Sequence, residues 1–138
     1  MCIRDRVLGE DSGFILEQFP DKFGLNTRRQ FEARDDIHWL EQFLEMMEFV
    51  ENRKATFYSA MAYYDPATKE QKVILGSTQG EIEEFPQTPL EKGIPVSAVF
   101  RPDGFDDVYS AMKKAEKNQV SHRGKACQEM AEYLASLA

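Results

Sequence analysis

Apolar residues in this 138-residue chain change their spacing several times, and each change marks a predicted element. Near the start, Val7-Leu8 and Phe14-Ile15-Leu16 are short apolar runs separated by Glu10-Asp11-Ser12-Gly13. That arrangement predicts a strand, a sharp polar turn, and then a second strand or short helix. From Pro20 to Arg34 the chain is rich in charge and in Gly, Asn and Thr, which predicts a loop with a short helical piece. Ile37, Leu40, Phe43, Leu44, Met47 and Val50 then recur at three- and four-residue steps behind Asp35 and Asp36, the pattern of an amphipathic helix.

Sheet signals follow. Ala55 to Tyr64 is dense in aromatics, Asp65-Pro66-Ala67-Thr68-Lys69 supplies turn residues, and Lys72-Val73-Ile74-Leu75 completes a predicted hairpin. Gly76 and Gly80 punctuate the run into Glu81-Ile82 and predict a bent or bulged strand. Another strand is expected at Val96 to Phe100, stopped by Arg101-Pro102-Asp103-Gly104, and two helices are expected at Asp106 to Ala115 and Ser121 to Leu137. No repeat, low-complexity tract or linker interrupts residues 7–138, so a single α/β domain is expected, with a mixed central sheet flanked by helices. Met1-Cys2-Ile3-Arg4-Asp5-Arg6 fits neither a signal peptide nor the pattern after it, and residues 1–6 read as a non-native leader.

Composition narrows the function classes. A hydrophobic share of 42% and a charged share of 30% suit a soluble globular domain with its own core. No window approaches the roughly eighteen apolar residues of a membrane span, so no membrane partner is expected. The balance of 17 basic to 24 acidic residues, net −7, argues against a general nucleic-acid binder, whose affinity comes largely from neutralising phosphates. Cys2 and Cys127 have no metal-ligand spacing, and a reducing cytoplasm is the default location.

Candidate chemistry lies in three places. Glu10-Asp11 sets two carboxylates beside a Ser-Gly pair at the end of an apolar strand, where α/β folds place ligands and where a hard cation such as Mg²⁺ finds oxygen. The alternative is that Asp11 only caps a turn. The second place is Lys117 with Ser121, His122, Arg123 and Lys125. Cations at a helix start are electrostatically backwards, because the helix N-terminus favours anions by roughly 0.3–1 kcal/mol, so a bound anion would explain them. Ser121 is a suitable N-cap, Arg123 a planar fork for phosphate or carbonyl, and His122 a directed hydrogen-bonding group. A solvated basic patch is the competing reading. The third place, the aromatic set Phe57, Tyr58, Tyr63 and Tyr64, is assigned to packing, as are His38 beside Trp39 and the Met46-Met47 pair.

Ser121-His122-Arg123-Gly124-Lys125-Ala126, preceded by Glu116-Lys117-Asn118, resembles the C-terminal signature of the inosine triphosphate pyrophosphatase family, the non-canonical purine nucleoside triphosphate (XTP/dITP) pyrophosphatases. Asp11-Ser12-Gly13, then Gly24, Thr27 and Arg29, is similar to the family stretch in which an Asp-Ser-Gly turn precedes Pro-Gly-Val-Tyr-Ser-Ala-Arg. Weaker likeness lies at Arg53-Lys54-Ala55-Thr56-Phe57 and at Gly76, Gly80 and Ile82.

The resemblance implies Mg²⁺-dependent hydrolysis of purine nucleoside triphosphates such as ITP, dITP and XTP to monophosphate and pyrophosphate, a sanitising of the nucleotide pool by a homodimer. By the same likeness Asp11 is the expected general base and metal ligand, with Glu10 assisting the metal. Ser12 would meet the phosphates, Lys117 the nucleotide, and His122 with Arg123 the six-oxo group of the base, with Gly13 and Ser121 also expected among the substrate-binding residues.

The chain also departs from the family. Gly93-Ile94-Pro95-Val96-Ser97-Ala98 stands where the family has Gly-Phe-Gly-Tyr-Asp-Pro lining the base pocket, so Ile94, Pro95, Val96 and Ser97 form an altered wall without the stacking aromatic. Val108 and Ala111 replace a usual threonine and glutamate. No counterpart of the family's first strand and Thr-Gly-Asn-x-x-Lys phosphate loop precedes Val7, so the chain resembles the C-terminal two-thirds or so of a member. A non-catalytic nucleotide-binding or dimer-forming relative is therefore the alternative to an active pyrophosphatase.

Overall fold

The computed structural model describes residues 5–23 and 31–137. Gly24, Thr27 and Arg29 of the second resembling block, and residues 1–4 of the expected leader, lie outside the described residues. The elements run β1 (Val7–Leu16), α1 (Asp36–Met47), β2 (Lys54–Asp65), β3 (Glu70–Ile82), a 3₁₀ turn (Pro95–Ala98), β4 (Phe100–Pro102), a second 3₁₀ turn (Tyr109–Ala111), α2 (Lys114–Val120) and α3 (His122–Ser136). The α/β class with a central sheet against helices holds. Within the described sheet, however, the order is β1-β2-β3-β4 and every pairing is antiparallel, so no parallel component of a mixed sheet occurs there.

The sharp turn expected at Glu10–Gly13 is absent. All ten residues of β1 pair with β2, from Val7 opposite Tyr64 to Leu16 opposite Ala55. Polar residues survive in mid-strand because alternate side chains point to opposite faces and each finds its own surroundings. The β2–β3 hairpin matches expectation, with Asp65 Oδ1 accepting from the Ala67 N–H at 2.9 Å in the turn. Its register runs unbroken from Lys54 opposite Glu81 to Asp65 opposite Glu70, so Gly76 and Gly80 mark no bulge. Gly76 is instead a point of close approach: a Cβ there would collide with the His122 carbonyl oxygen and stand 2.8 Å from the Ala126 nitrogen of α3.

Helix α1 begins where Asp35 accepts from the His38 N–H at 2.8 Å. It buries Trp39, Leu40, Phe43 and Met47, while Ile37 of the predicted stripe is exposed. The main core joins Phe14 and Leu16 of β1, Phe57 of β2 and Phe100 of β4 to that helix, and a smaller cluster of Tyr63, Ile74, Ala126 and Met130 seats α3. These contacts put the helices over one face of the sheet. The opposite face carries exposed Val73 and Leu75.

Two predicted elements differ. The strand expected over Val96–Phe100 is a 3₁₀ turn followed by a short strand, because Pro95 enters the turn with a fixed φ and no N–H to give a ladder. The helix expected over Asp106–Ala115 resolves into a 3₁₀ turn and then α2, which starts later at Lys114.

Candidate functional site

A cavity of about 250 Å³ opens between β1, α1, the 93–97 segment and the α2–α3 junction. All ten positions expected to touch substrate line it: Ser12, Gly13, Ile94, Pro95, Val96 and Ser97 with Lys117, Ser121, His122 and Arg123. These residues come from segments more than a hundred positions apart in sequence, so their convergence is a property of the fold.

Local geometry explains the junction. Ser121 is extended, with φ −70° and ψ 153°, and both closes α2 and caps α3. Its Oγ accepts from the Gly124 N–H at 3.0 Å. Gly124 lies so close to Asn118 at the end of α2 that a Cβ would collide with the Asn118 carbonyl. The Ser-His-Arg-Gly order thus folds one helix back onto the next and aims His122 and Arg123 at the sheet.

His122 is buried, and its ring stacks on Phe57 at 4.9 Å and 25°. Tyr109 lies parallel at 5.9 Å and 19°, with its hydroxyl 3.4 Å from Nδ1. Burial first, and then the adjacent Arg123 charge, push the His122 pKa down to about 4, so the imidazole is neutral at physiological pH. The cations expected to await an anion already have partners. Arg123 Nε is 3.3 Å from Glu10 Oε1 and 3.2 Å from Ser12 Oγ. Lys117 Nζ is 3.3 Å from Glu91 Oε1 and 5.6 Å from the Tyr109 ring centre. Lys125 Nζ donates to the Ser77 carbonyl at 2.8 Å.

Glu10 and Asp11 do not converge. Glu10 shares the face of β1 that carries Ser12, Phe14 and Leu16, and its Oε1 also accepts from Ser12 Oγ and, at 2.8 Å, from Ser59 Oγ. Burial works to raise its pKa, but the Ser12 and Ser59 hydrogen bonds and the Arg123 guanidinium outweigh it and hold the carboxyl below its ordinary value. Asp11, one residue on, points to the other face, where burial and then the Asp11 charge raise the Tyr58 hydroxyl pKa. Asp11 Oδ1 accepts from the Ser12 N–H at 3.0 Å. Glu10 therefore belongs to the Arg123 contact and cannot share an ion with Asp11. Among the described residues no group of three or more His, Cys, Asp or Glu side chains could hold a metal. Asp11, on the face away from the cavity, offers a divalent ion one exposed carboxylate, a donor that fits Mg²⁺ only if substrate phosphates and water supply the rest.

The sequence patterns missed four side chains of the cavity: Phe14, Trp39, Phe57 and Tyr109. Phe57, assigned to packing, does pack, against Phe100 at 4.7 Å, and it also forms the platform under His122. Trp39 lies on the buried face of α1, at four-residue steps from Phe43 and Met47, where nothing in the spacing sets it apart from a core residue. Its Nε1 is the one buried side-chain polar atom without a hydrogen-bond partner among the described residues, a situation costing about 1–3 kcal/mol.

A model described as the Ham1 family matches residues 2–133 of the chain. The chain belongs to the Ham1 family. Ham1 relatives agree with that placement. A dITP/XTP pyrophosphatase of Thermococcus kodakarensis is 36% identical over 125 residues, covering 91% of this chain and 63% of the relative. An inosine triphosphate pyrophosphatase of Encephalitozoon intestinalis is 31% identical over 135 residues, covering 96% of this chain and 66% of the relative. The chain thus spans just under two thirds of the length of the curated Ham1 relatives it matches. The solved Staphylococcus aureus Ham1 protein superposes with a TM-score of 0.83 at 24% identity, over 99% of this chain and 70% of that one, and shares the fold. A Mycobacterium abscessus dITP/XTP pyrophosphatase structure superposes with a TM-score of 0.68 at 26% identity, over 91% of this chain and 64% of that one.

Proposed function

We propose that the chain carries the base pocket of a Mg²⁺-dependent pyrophosphatase that hydrolyses ITP, dITP or XTP to the nucleoside monophosphate and pyrophosphate. The observation that carries this reading is the convergence of Ser12 and Gly13 of β1 with Lys117, Ser121, His122 and Arg123 of the α2–α3 junction on one cavity. The printed names of the relatives support the substrate class.

In this reading the neutral His122 and the Arg123 fork donate to the oxo edge of a deaminated purine. The Tyr109 hydroxyl lies 3.4 Å from Nδ1, and in this reading it donates there, which leaves Nε2–H for that task. Donors fixed this way reject adenine, whose amino group would leave them unpaired. Asp11 would orient and deprotonate the attacking water, and it is the residue that would hold Mg²⁺, whose chemistry is to neutralise the triphosphate and stabilise the departing pyrophosphate. The homodimer implied by the resemblance and the cytoplasmic location belong to the same proposal.

The test is pyrophosphate release from ITP, XTP, dITP and ATP with Mg²⁺, using the chain alone and extended at its N-terminus by the corresponding segment of a relative. Turnover of the oxopurine triphosphates that collapses in Asp11→Asn is expected. Release from none of them sinks the catalytic reading. The direction of Asp11, away from the face that carries Glu10 and Ser12, favours one second reading, a non-catalytic nucleotide-binding protein; nucleotide binding without release would establish it.

A further inference from the structure

Ile94, Pro95, Val96 and Ser97 form one wall of the cavity, and a tight turn carries them there. The Ile94 N–H donates to the Glu91 carbonyl at 3.1 Å, closing a turn in which Gly93 takes φ 83°, a left-handed conformation that glycine adopts without strain. Lys92, Gly93 and Ile94 are exposed, so burial does little to fix the turn. Polar contacts from two helices do that instead. On one side Asp36 Oδ2, in the first turn of α1, accepts from the Gly93 N–H at 2.7 Å. On the other side Lys117 Nζ of α2 stands 3.3 Å from Glu91 Oε1.

The two ties differ in what a ligand does to them. Lys117 lines the cavity and is an expected nucleotide contact, so an anionic ligand competes with Glu91 for it. Asp36 is not among the lining residues, and its hold on Gly93 persists when the cavity fills. Ile94 and Val96, with Phe14 and Phe57, give the cavity hydrocarbon surroundings that desolvate a neutral heterocycle at little cost and a polyphosphate at a high one. The base is therefore the part of a nucleotide that meets this wall.

We propose that Asp36 is a positioning residue of the base pocket: its carboxylate holds the Gly93 amide, and through it the Ile94–Ser97 wall, in place for the heterocycle of the bound nucleotide. The proposal rests on the nucleotide reading of the cavity given above. A wall fixed before binding needs no ordering by the ligand, whereas a loose one is ordered out of the binding free energy.

Asp36→Ala removes the acceptor, and Asp36→Asn keeps an acceptor oxygen without the charge. The experiment measures binding of inosine monophosphate by calorimetry to the chain and to both variants, with thermal melts of all three. It also follows hydrogen exchange of the Gly93 amide in the unsubstituted chain with and without the ligand. Expected are a roughly 5–20-fold loss of affinity in Asp36→Ala and, on a logarithmic scale, a loss at most half as large in Asp36→Asn. Melting temperatures of the two variants are expected to fall slightly and alike, since both lose a charge at the start of α1, and the Gly93 amide to be protected in both states. Equal affinity in the three proteins overturns the role of Asp36 and leaves the nucleotide reading standing. So does an equal loss in both variants, which would report the charge and not the hydrogen bond to Gly93. If neither variant folds, fast exchange of the Gly93 amide in the ligand-bound chain overturns the role and slow exchange upholds it. No inosine monophosphate binding by the unsubstituted chain overturns both readings together.

Discussion

Arg123 Nε stands 3.3 Å from Glu10 Oε1, tying the first turn of α3 to the middle of β1 across 113 positions of sequence. The contact answers the electrostatic puzzle of a cationic helix start: part of the anion it calls for is built into the sheet. It also fixes the direction in which a guanidinium fork enters the cavity.

Glu10→Gln removes that charge with little change of shape. With Arg123 about half exposed, the pair contributes no more than about 1 kcal/mol at neutral pH, so urea midpoints of the two proteins are expected to lie close together at pH 7. Because the folded state lowers the Glu10 pKa, its contribution is present above the ordinary value of 4.5 and is lost as pH falls through the lower folded value. Glu10→Gln is expected to flatten that part of the acid limb in a pH series of urea unfolding.

His122 sets a second pH dependence. Its pKa falls from the ordinary 6.5 to about 4 in the folded chain, so between those values the unfolded chain binds the additional proton and stability drops as pH drops. Across the whole window the loss is on the order of 3 kcal/mol. His122→Phe is expected to abolish that slope in urea unfolding, and an imidazole NMR titration is expected to place the His122 midpoint near 4.

Gly124→Ala tests the helix junction. Alanine improves intrinsic helix propensity by about 1 kcal/mol, but its Cβ would meet the backbone of Asn118. Backbone cannot yield as a flexible side chain would. The variant is expected to be destabilised, by about 2 kcal/mol or more after the propensity gain, as seen in a lowered thermal midpoint.

Arg123→Ala separates base from phosphate recognition. Larger loss of kcat/KM for ITP than for ATP is expected in a protein with turnover. Equal loss on both would assign Arg123 to the phosphates.

Regular apolar spacing was the legible part of this fold. Leu40, Phe43 and Met47 mark α1, and the turn residues from Asp65 to Lys69 mark the hairpin, because in both cases local chemistry and tertiary packing agree. At Glu10–Gly13 they disagree: four turn-forming residues lie in mid-strand because ten pairings with β2 outweigh them. Pro95 turns the start of a predicted strand into a 3₁₀ turn, for a local reason that hydrophobic content alone concealed. In the site, short-range order in Ser121–Gly124 was readable as a motif. Trp39, Phe57 and Tyr109 were not, since a core aromatic and one that lines a cavity have the same spacing, and only the third dimension separates them.

Parity along β1 has a consequence for how the protein can change. Even-numbered Ser12 and Phe14 line the recognition cavity and Glu10 holds Arg123 beside it, while odd-numbered Asp11, the proposed general base, points to the opposite side. Adding or deleting one residue between Ser12 and the core-anchored Phe14 would leave every side chain chemically intact yet exchange the faces of Glu10, Asp11 and Ser12. Substitutions can tune either side separately, but a shift in length rewrites both at once.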